Sequence, residues 1–336
     1  MGQPPAENFM SHPLRWGILG TGRIARQFAE ALRRLPDSEL LAVGSRFPDS
    51  ARRFADEFEV AHPYGDYRQL VSDPQVQVVY VATPHFCHAA NTRLALDAGK
   101  AVLCEKPFTI NAAEAHETIA LARARRLFLM EAMWTRFFPL MTKLRDLLAA
   151  DAIGDVRHLT ADFGFRAEYA EDSRLFEPRF GGGALLDVGV YPVSLASMLF
   201  GPPTRIVGAA NLGTTGVDEE AAVILTHVDG QLAVLHAAIR LNTVQEAIVT
   251  GTRGRVRIHC PWWRPATMTI SREGKTDETL DFALEGNGYE YEAREVTECL
   301  RAGKLESPLM PLDETLSVMK TLDTLRAQWG LKYPME

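Results

Sequence analysis

The stretch WGILGTGRIARQFAEALRRL (residues 16–35) decides the fold. A short apolar strand runs into G-T-G-R-I-A, and an amphipathic helical pattern starts at once from Arg23. The bare pattern G-x-G-x-x-G/A is weak, but between a strand and a helix it marks a dinucleotide-binding turn. In that reading Gly20 makes the tight turn and Gly22 lets the backbone approach a pyrophosphate. Ala25 lets the helix pack closely on the sheet. Thr21, Arg23 and Ile24 complete the loop, and the helix N-terminus offers free N–H groups and a positive dipole end.

The chain on either side supports this. ELLAVGS (39–45) reads as a second strand, PDSARRFADEF (48–58) as a helix with proline in its first turn. VQVVYVAT (76–83) is a β-branched run suited to a parallel strand buried on both faces. Helix 84–99, strand 100–105, helix 111–125 and strand 127–132 follow. Such alternation implies a doubly wound parallel sheet, the Rossmann arrangement, over residues 14–135, behind a loose arm at 1–13. After Pro139 the pattern changes. Strand-like segments follow with little helix between them and short turns such as VDGQ (228–231). They imply an α+β domain over 136–336 with a large, mostly antiparallel open sheet, closed by helices near 289–303 and 313–328.

Composition narrows the partners. With 336 residues, 46% hydrophobic and 24% charged, the chain has globular composition and the length of two domains. A net charge of −7 gives no electrostatic reason to expect nucleic acid. Cys87, Cys104, Cys260 and Cys299 are widely spaced, which speaks against a disulfide framework or zinc site and for a reducing cytoplasm. His85 and His88 lack a nearby carboxylate or cysteine to complete a metal site, so none is expected. No apolar run approaches the roughly 20 residues of a membrane span, and the N-terminus lacks the pattern of a secretory signal. A small molecule is the expected partner.

The second strand selects the cofactor. NAD enzymes usually end it with an acid that bonds the ribose 2′-hydroxyl. Here it ends Gly44-Ser45-Arg46. Ser45 can hydrogen-bond a 2′-phosphate and Arg46 can pair with it, so NADP is expected rather than NAD.

Two further motifs carry chemistry. CEKPF (104–108) ends the fifth expected strand, where ligands of open α/β sheets bind. GGGALLDVGVYP (181–192) places Asp187 and Tyr191 four apart, on one face of a helix. A phenol with a pKa of about 10 is a poor base near neutrality. A neighbouring ammonium favours the phenolate. Lys106 and Tyr191, brought together across a domain cleft, would make a proton-transfer pair.

G-T-G-R-I-A, A-T-P-H-x-x-H-A (82–89), E-K-P and G-G-G-x-L-x-D-x-G-x-Y in this order resemble the glucose–fructose oxidoreductase, inositol dehydrogenase and MocA family. CEKP, FLMEAMWTRFFP and D-x-G-x-Y look closest to its branch of dimeric dihydrodiol dehydrogenases and NADP-dependent D-xylose dehydrogenases. The resemblance implies Lys106 and Tyr191 as the catalytic pair, with Asp187 holding substrate hydroxyls. It implies Thr83, Pro84, His88 and Glu105 beside the nicotinamide, with Trp134, Arg136 and Phe163 in the substrate pocket. Trp134 and Phe163 read equally well as core aromatics. The resemblance also implies a homodimer or higher homo-oligomer through the C-terminal sheet. The expected activity is hydride transfer between NADP and a CH–OH or C=O group of a sugar, polyol or cyclic trans-diol. An NAD-retaining glycosidase and a non-catalytic dinucleotide-binding regulator are the alternatives on the same scaffold.

Overall fold

The computed structural model describes residues 12–336, so the expected arm at 1–13 lies almost wholly outside the described residues. Two compact units are present. One is the chain up to Trp134 together with Glu285–Thr315, and the other is Thr135–Leu284 together with Leu316–Glu336.

The first unit contains a six-stranded sheet of β1 (Leu14–Leu19), β2 (Ser38–Gly44), β3 (His62–Tyr64), β4 (Val78–Val81), β5 (Ala101–Glu105) and β6 (Leu129–Ala132). Its order is β3-β2-β1-β4-β5-β6, with every neighbouring pair parallel. That is the Rossmann order, whose direction reverses between β1 and β4. Every residue of β4 and β5 is buried, as their continuous apolar runs require. Connecting helices are α1 (Arg23–Leu32), α2 (Pro48–Phe58), α3 (Tyr67–Ser72), α4 (His88–Asp97) and α5 (Ala112–Arg125).

The first domain break was expected at 135/136; the first stretch of the first unit leaves off at Trp134. The segment 285–315, expected in the second domain, groups with the first unit instead. The reason is a buried stripe. In α8 (Tyr289–Arg301), Tyr289, Ala293, Val296 and Leu300 recur at helical spacing and are all buried. Tyr289 stacks on Trp134 at 4.6 Å between ring centroids and meets Phe28 of α1 edge-on at 6.4 Å.

The second unit is built on an eight-stranded sheet. Its strands are β7 (Val156–Gly164), β8 (Arg205–Leu212), β9 (Asp218–Thr226), β10 (Leu232–Ala238), β11 (Ala247–Gly251), β12 (Gly254–Ile258), β13 (Thr267–Arg272) and β14 (Glu278–Asp281). The order is β14-β13-β12-β11-β7-β10-β9-β8, antiparallel throughout except where β7 lies parallel to β10. One face buries Val223, Leu225, Ala233 and Leu235. On that face a side chain at Gly208 would collide with Leu325 and Trp329 of α9 (Leu312–Trp329). On the opposite face Val207, Ile224 and Val234 pair in one row across three strands, each between 42% and 47% exposed. The helix α6 (Pro139–Ala149) precedes the sheet.

A π-helical turn, Leu185–Gly189, runs directly into α7 (Val190–Phe200). Pro192 in the first turn of α7 has no N–H to give back, and the wider winding lies just ahead of it. Residues Pro178–Phe200 are apolar and long enough to cross a bilayer, which corrects the expectation that no run approaches that length. Most of the stretch is buried as a core helix.

The start of this buried helix is held by Asp218, whose carboxylate accepts the Leu185 N–H at 2.6 Å. Burial raises the Asp218 carboxyl to about 7, against the pull of its backbone hydrogen bonds and of the Arg326 charge. The folded state therefore holds this proton more tightly than an unfolded chain, whose aspartate titrates near 3.9. Stability should fall as pH rises between about 4 and about 7. Asp218→Asn keeps an oxygen for Leu185 and removes the titration. Its unfolding midpoint should decline less than the wild-type value across that window. Equal declines in the two proteins would show that Asp218 is not the source.

Candidate active site

The loop after β1 is built by close approach. Gly20 has φ +109°, and a Cβ there would lie 2.5 Å from the carbonyl oxygen of Ala82. Only glycine meets both demands. Two residues on, Gly22 is the N-cap of α1, with open space where a side chain would stand. Among the described residues no side chain caps this helix, and its first turn contains no acid. The N–H groups of that turn are thus available to an anion. Arg23 is exposed, Thr21 and Ile24 are half-buried, and Ala25 is fully buried under the helix.

At the tip of β2 the Ser45 hydroxyl accepts the Phe47 N–H at 3.2 Å, which leaves its own hydrogen to donate. Arg46 is exposed, lies 5.9 Å from the Phe47 ring and interacts with the Tyr67 hydroxyl. The lip of the loop therefore carries a hydroxyl and a guanidinium, with no carboxylate at the strand end.

The loops after β4 and β5 are tied together by His88. Its Nε2 lies 2.8 Å from the Thr83 carbonyl oxygen and its Nδ1 lies 2.8 Å from that of Pro107. The ring is 1% exposed, so it braces the loops from behind and does not face a ligand. Burial lowers its pKa, while the two carbonyls pull the other way. Asn91 donates to the Thr83 hydroxyl at 3.0 Å, Pro84 is exposed, and Lys106 is half-buried at the end of β5. Glu105 is buried. It accepts from the Tyr80 hydroxyl and, at 3.2 Å, from the Lys106 N–H. Burial pushes its carboxyl up to about 7, against the Tyr80 bond and the Lys106 charge. Trp134, expected in a substrate pocket, packs here on Tyr289.

In the second unit, Asp187 lies on the π-helical turn and Tyr191 on the first turn of α7. Asp187 is almost fully buried and accepts two bonds from Arg174, at 2.8 Å and 3.4 Å. The Arg174 charge is also felt electrostatically at Tyr191. The Tyr191 ring stands edge-on to Phe163 at 5.2 Å, and Phe163 lies flat against Trp263 at 4.9 Å. The Trp263 indole N–H donates to Gln245 at 2.9 Å, which fixes that wall. Arg136, the other expected pocket residue, is buried and donates to the Ser194 carbonyl at 2.7 Å and to its hydroxyl at 2.9 Å. Three charge-assisted bonds to one serine on α7 make it a brace for that helix. Arg174 and Trp263 were not singled out from sequence.

Residues 14–133 match the oxidoreductase family with an NAD-binding Rossmann fold, and residues 141–257 match the GFO/IDH/MocA C-terminal domain. The chain is also 39% identical to the trans-1,2-dihydrobenzene-1,2-diol dehydrogenases of Mus musculus and Homo sapiens, over 96% of its length and 99% of theirs. The chain belongs to the GFO/IDH/MocA family. Among solved structures, a 3-ketoreductase from Actinomadura kijaniata in complex with NADP and TDP-benzene is 28% identical, with a TM-score of 0.85 over 94% of this chain and 98% of that one. An aldose–aldose oxidoreductase from Caulobacter crescentus shares the fold at a TM-score of 0.87 and 24% identity, over 95% and 98% of the two chains.

The brace in this family member's first unit is open to test. His88→Leu fills similar space but abandons the buried carbonyl to which the neutral ring donates, a loss of about 1–3 kcal/mol. Denaturant unfolding should register it. A variant as stable as wild type would show that the loops hold themselves.

Proposed function

We propose that this protein is an NADP-dependent dehydrogenase or reductase that interconverts CH–OH and C=O groups on a sugar, polyol or cyclic trans-diol. The observation that carries the reading is the group Arg174–Asp187–Tyr191 set beside the flat wall of Phe163 and Trp263. A buried carboxylate accepts hydrogen bonds from vicinal hydroxyls, a phenol moves a proton, and aromatic faces take up the apolar side of a ring. The diol dehydrogenases among its relatives support the substrate class. The 3-ketoreductase solved with NADP supports the cofactor.

The first unit fits that cofactor on its own chemistry. The uncapped start of α1 at Gly22 suits a pyrophosphate, and Ser45 with Arg46 suits a 2′-phosphate. Bound NADP supplies the hydride acceptor, or in reverse the donor, at its nicotinamide ring. In the oxidative direction Tyr191 takes the hydroxyl proton of the substrate and returns it in reduction. Lys106 favours the phenolate and hydrogen-bonds the developing alkoxide. Asp187 orients the substrate through its neighbouring hydroxyl. The free thiols of Cys87, Cys104, Cys260 and Cys299 support a cytoplasmic setting.

The test is turnover with NADP⁺ and NAD⁺ against sugars, inositols and trans-dihydrodiols, followed by the absorbance of the reduced nicotinamide. NADP⁺ should be preferred. Net reduction separates a dehydrogenase from a glycosidase that hands its hydride back. Lys106→Met and Tyr191→Phe should each lower kcat by on the order of 10²–10⁴ while NADPH still binds. Near-wild-type turnover in either would remove that residue from the pair.

A homodimer through the second sheet belongs to the same proposal. The exposed row Val207, Ile224 and Val234 is an apolar surface of the kind that marks an interface. Ile224→Glu should convert the dimer to a monomer in sedimentation equilibrium. A dimer that survives this change would have to be built elsewhere.

A further inference from the structure

Arg174 stands on a mounting more rigid than its loop position suggests. The chain around it turns tightly, with the Ser173, Phe176 and Glu177 N–H groups donating to the Ala170 and Ser173 carbonyls. Phe176 is completely buried. It is packed edge-on against Tyr169 at 5.0 Å and lies 5.6 Å from the Arg240 guanidinium. The glycines of the GGG motif complete the seat. Gly183 donates its N–H to the Leu175 carbonyl at 2.8 Å. A Cβ on Gly182 would sit 2.7 Å from the same oxygen. A Cβ on Gly183 would collide with the Asp218 carboxylate, at a φ of +113° that itself calls for glycine. The small residues ahead of Asp187 thus let the 173–177 turn close onto the helix start, and they bring one guanidinium to it.

We infer that Arg174 is a positioning residue for the proposed reaction: it aims Asp187 through a two-point ion pair and supplies, with Lys106, a second positive charge that favours the Tyr191 phenolate. Two observations support it. The bonds at 2.8 Å and 3.4 Å reach different carboxylate oxygens, which fixes the plane of the Asp187 group. Asp187 lies four residues before Tyr191, so the guanidinium it holds acts on the phenol through its charge. Asp187 is 8% exposed and Arg174 is 58% exposed, so the carboxylate is held inside while the cation keeps contact with solvent. The two-point pairing offsets the cost of holding that carboxylate inside. Asp187, four positions before Tyr191 in the chain, and its partner Arg174 are of opposite sign. An anionic Asp187 alone would disfavour the phenolate, and pairing it with Arg174 cancels that effect.

This inference rests on the proposed role of Tyr191 as the proton-transfer group. The test therefore has a spectroscopic arm that needs no turnover. The ultraviolet titration of Tyr191 is isolated as the difference between wild type and Tyr191→Phe, in the full-length protein. It is repeated on an Arg174→Met background. Removing the guanidinium should cut the phenolate fraction at a given pH about tenfold, a rise of roughly one pH unit. Arg174→Lys should recover much of that titration, because it restores the charge, but not the two-point grip.

Steady-state kinetics read the second half. Arg174→Met should raise KM for the hydroxyl substrate. It should also lower kcat at neutral pH, with the kcat deficit shrinking as pH rises and Tyr191 ionises unaided. Arg174→Lys should recover kcat more than KM. An unshifted Tyr191 titration in Arg174→Met would overturn the electrostatic role, and unchanged KM would overturn the orienting role. If wild type turns over no CH–OH substrate, the proposed function fails, and the titration alone still decides whether Arg174 governs Tyr191.

Discussion

The first unit depends on how closely the chain can approach itself where β1 ends. At Gly20 the backbone passes against the Ala82 carbonyl with no room for a methyl group, in a conformation other residues rarely adopt. That contact joins the ends of β1 and β4, the two strands between which the sheet reverses direction. Because they end at the same level, the bare start of α1 and the Thr83 loop open on one crevice. His88 then extends the arrangement to Pro107, so the segment carrying Glu105 and Lys106 is indexed to the same turn. A ligand site assembled this way owes its geometry to backbone packing more than to any one polar contact.

The second unit solves a similar problem with a different device. Its functional helix begins in the interior, where free N–H groups are costly unless answered. Asp218 answers one of them, and the π-helical turn lies ahead of the proline that interrupts regular winding. Arg136 grips the next turn through Ser194. Asp187 and Tyr191 therefore sit on a helix secured at its start and along its side, the condition under which a small displacement costs orientation.

Much of this was legible in the chain. The alternation from Arg15 to Ala132 foretold a parallel doubly wound sheet, because buried parallel strands must be continuously apolar. The helix over 48–58 falls on the residues expected of it. Elements that escaped notice are those with little apolar periodicity. β3 is three residues long with a central proline, α3 is six residues long, and β14 is polar and mostly exposed. At the candidate site, the glycines were readable because the conformation they must adopt follows from local geometry. The contacts of Arg136 and Trp134 were not, since Ser194 and Tyr289 lie far along the chain and only the fold brings them together. Arg174 escaped for the complementary reason: an arginine among acidic loop residues resembles any solvated charge until the Asp187 contact is seen.

The attachment of α8 to the first unit bears on how the protein is made. Trp134 and Phe28 find their aromatic neighbour Tyr289 some 150 residues downstream of the point where the parallel sheet is complete. On the ribosome, the nascent Rossmann sheet would wait through synthesis of the entire second sheet with this aromatic surface bare. Cutting the gene after the last parallel strand would strand the domain in that immature state. An excised N-terminal half would need the late helix grafted back before it could be a self-sufficient nucleotide-binding module.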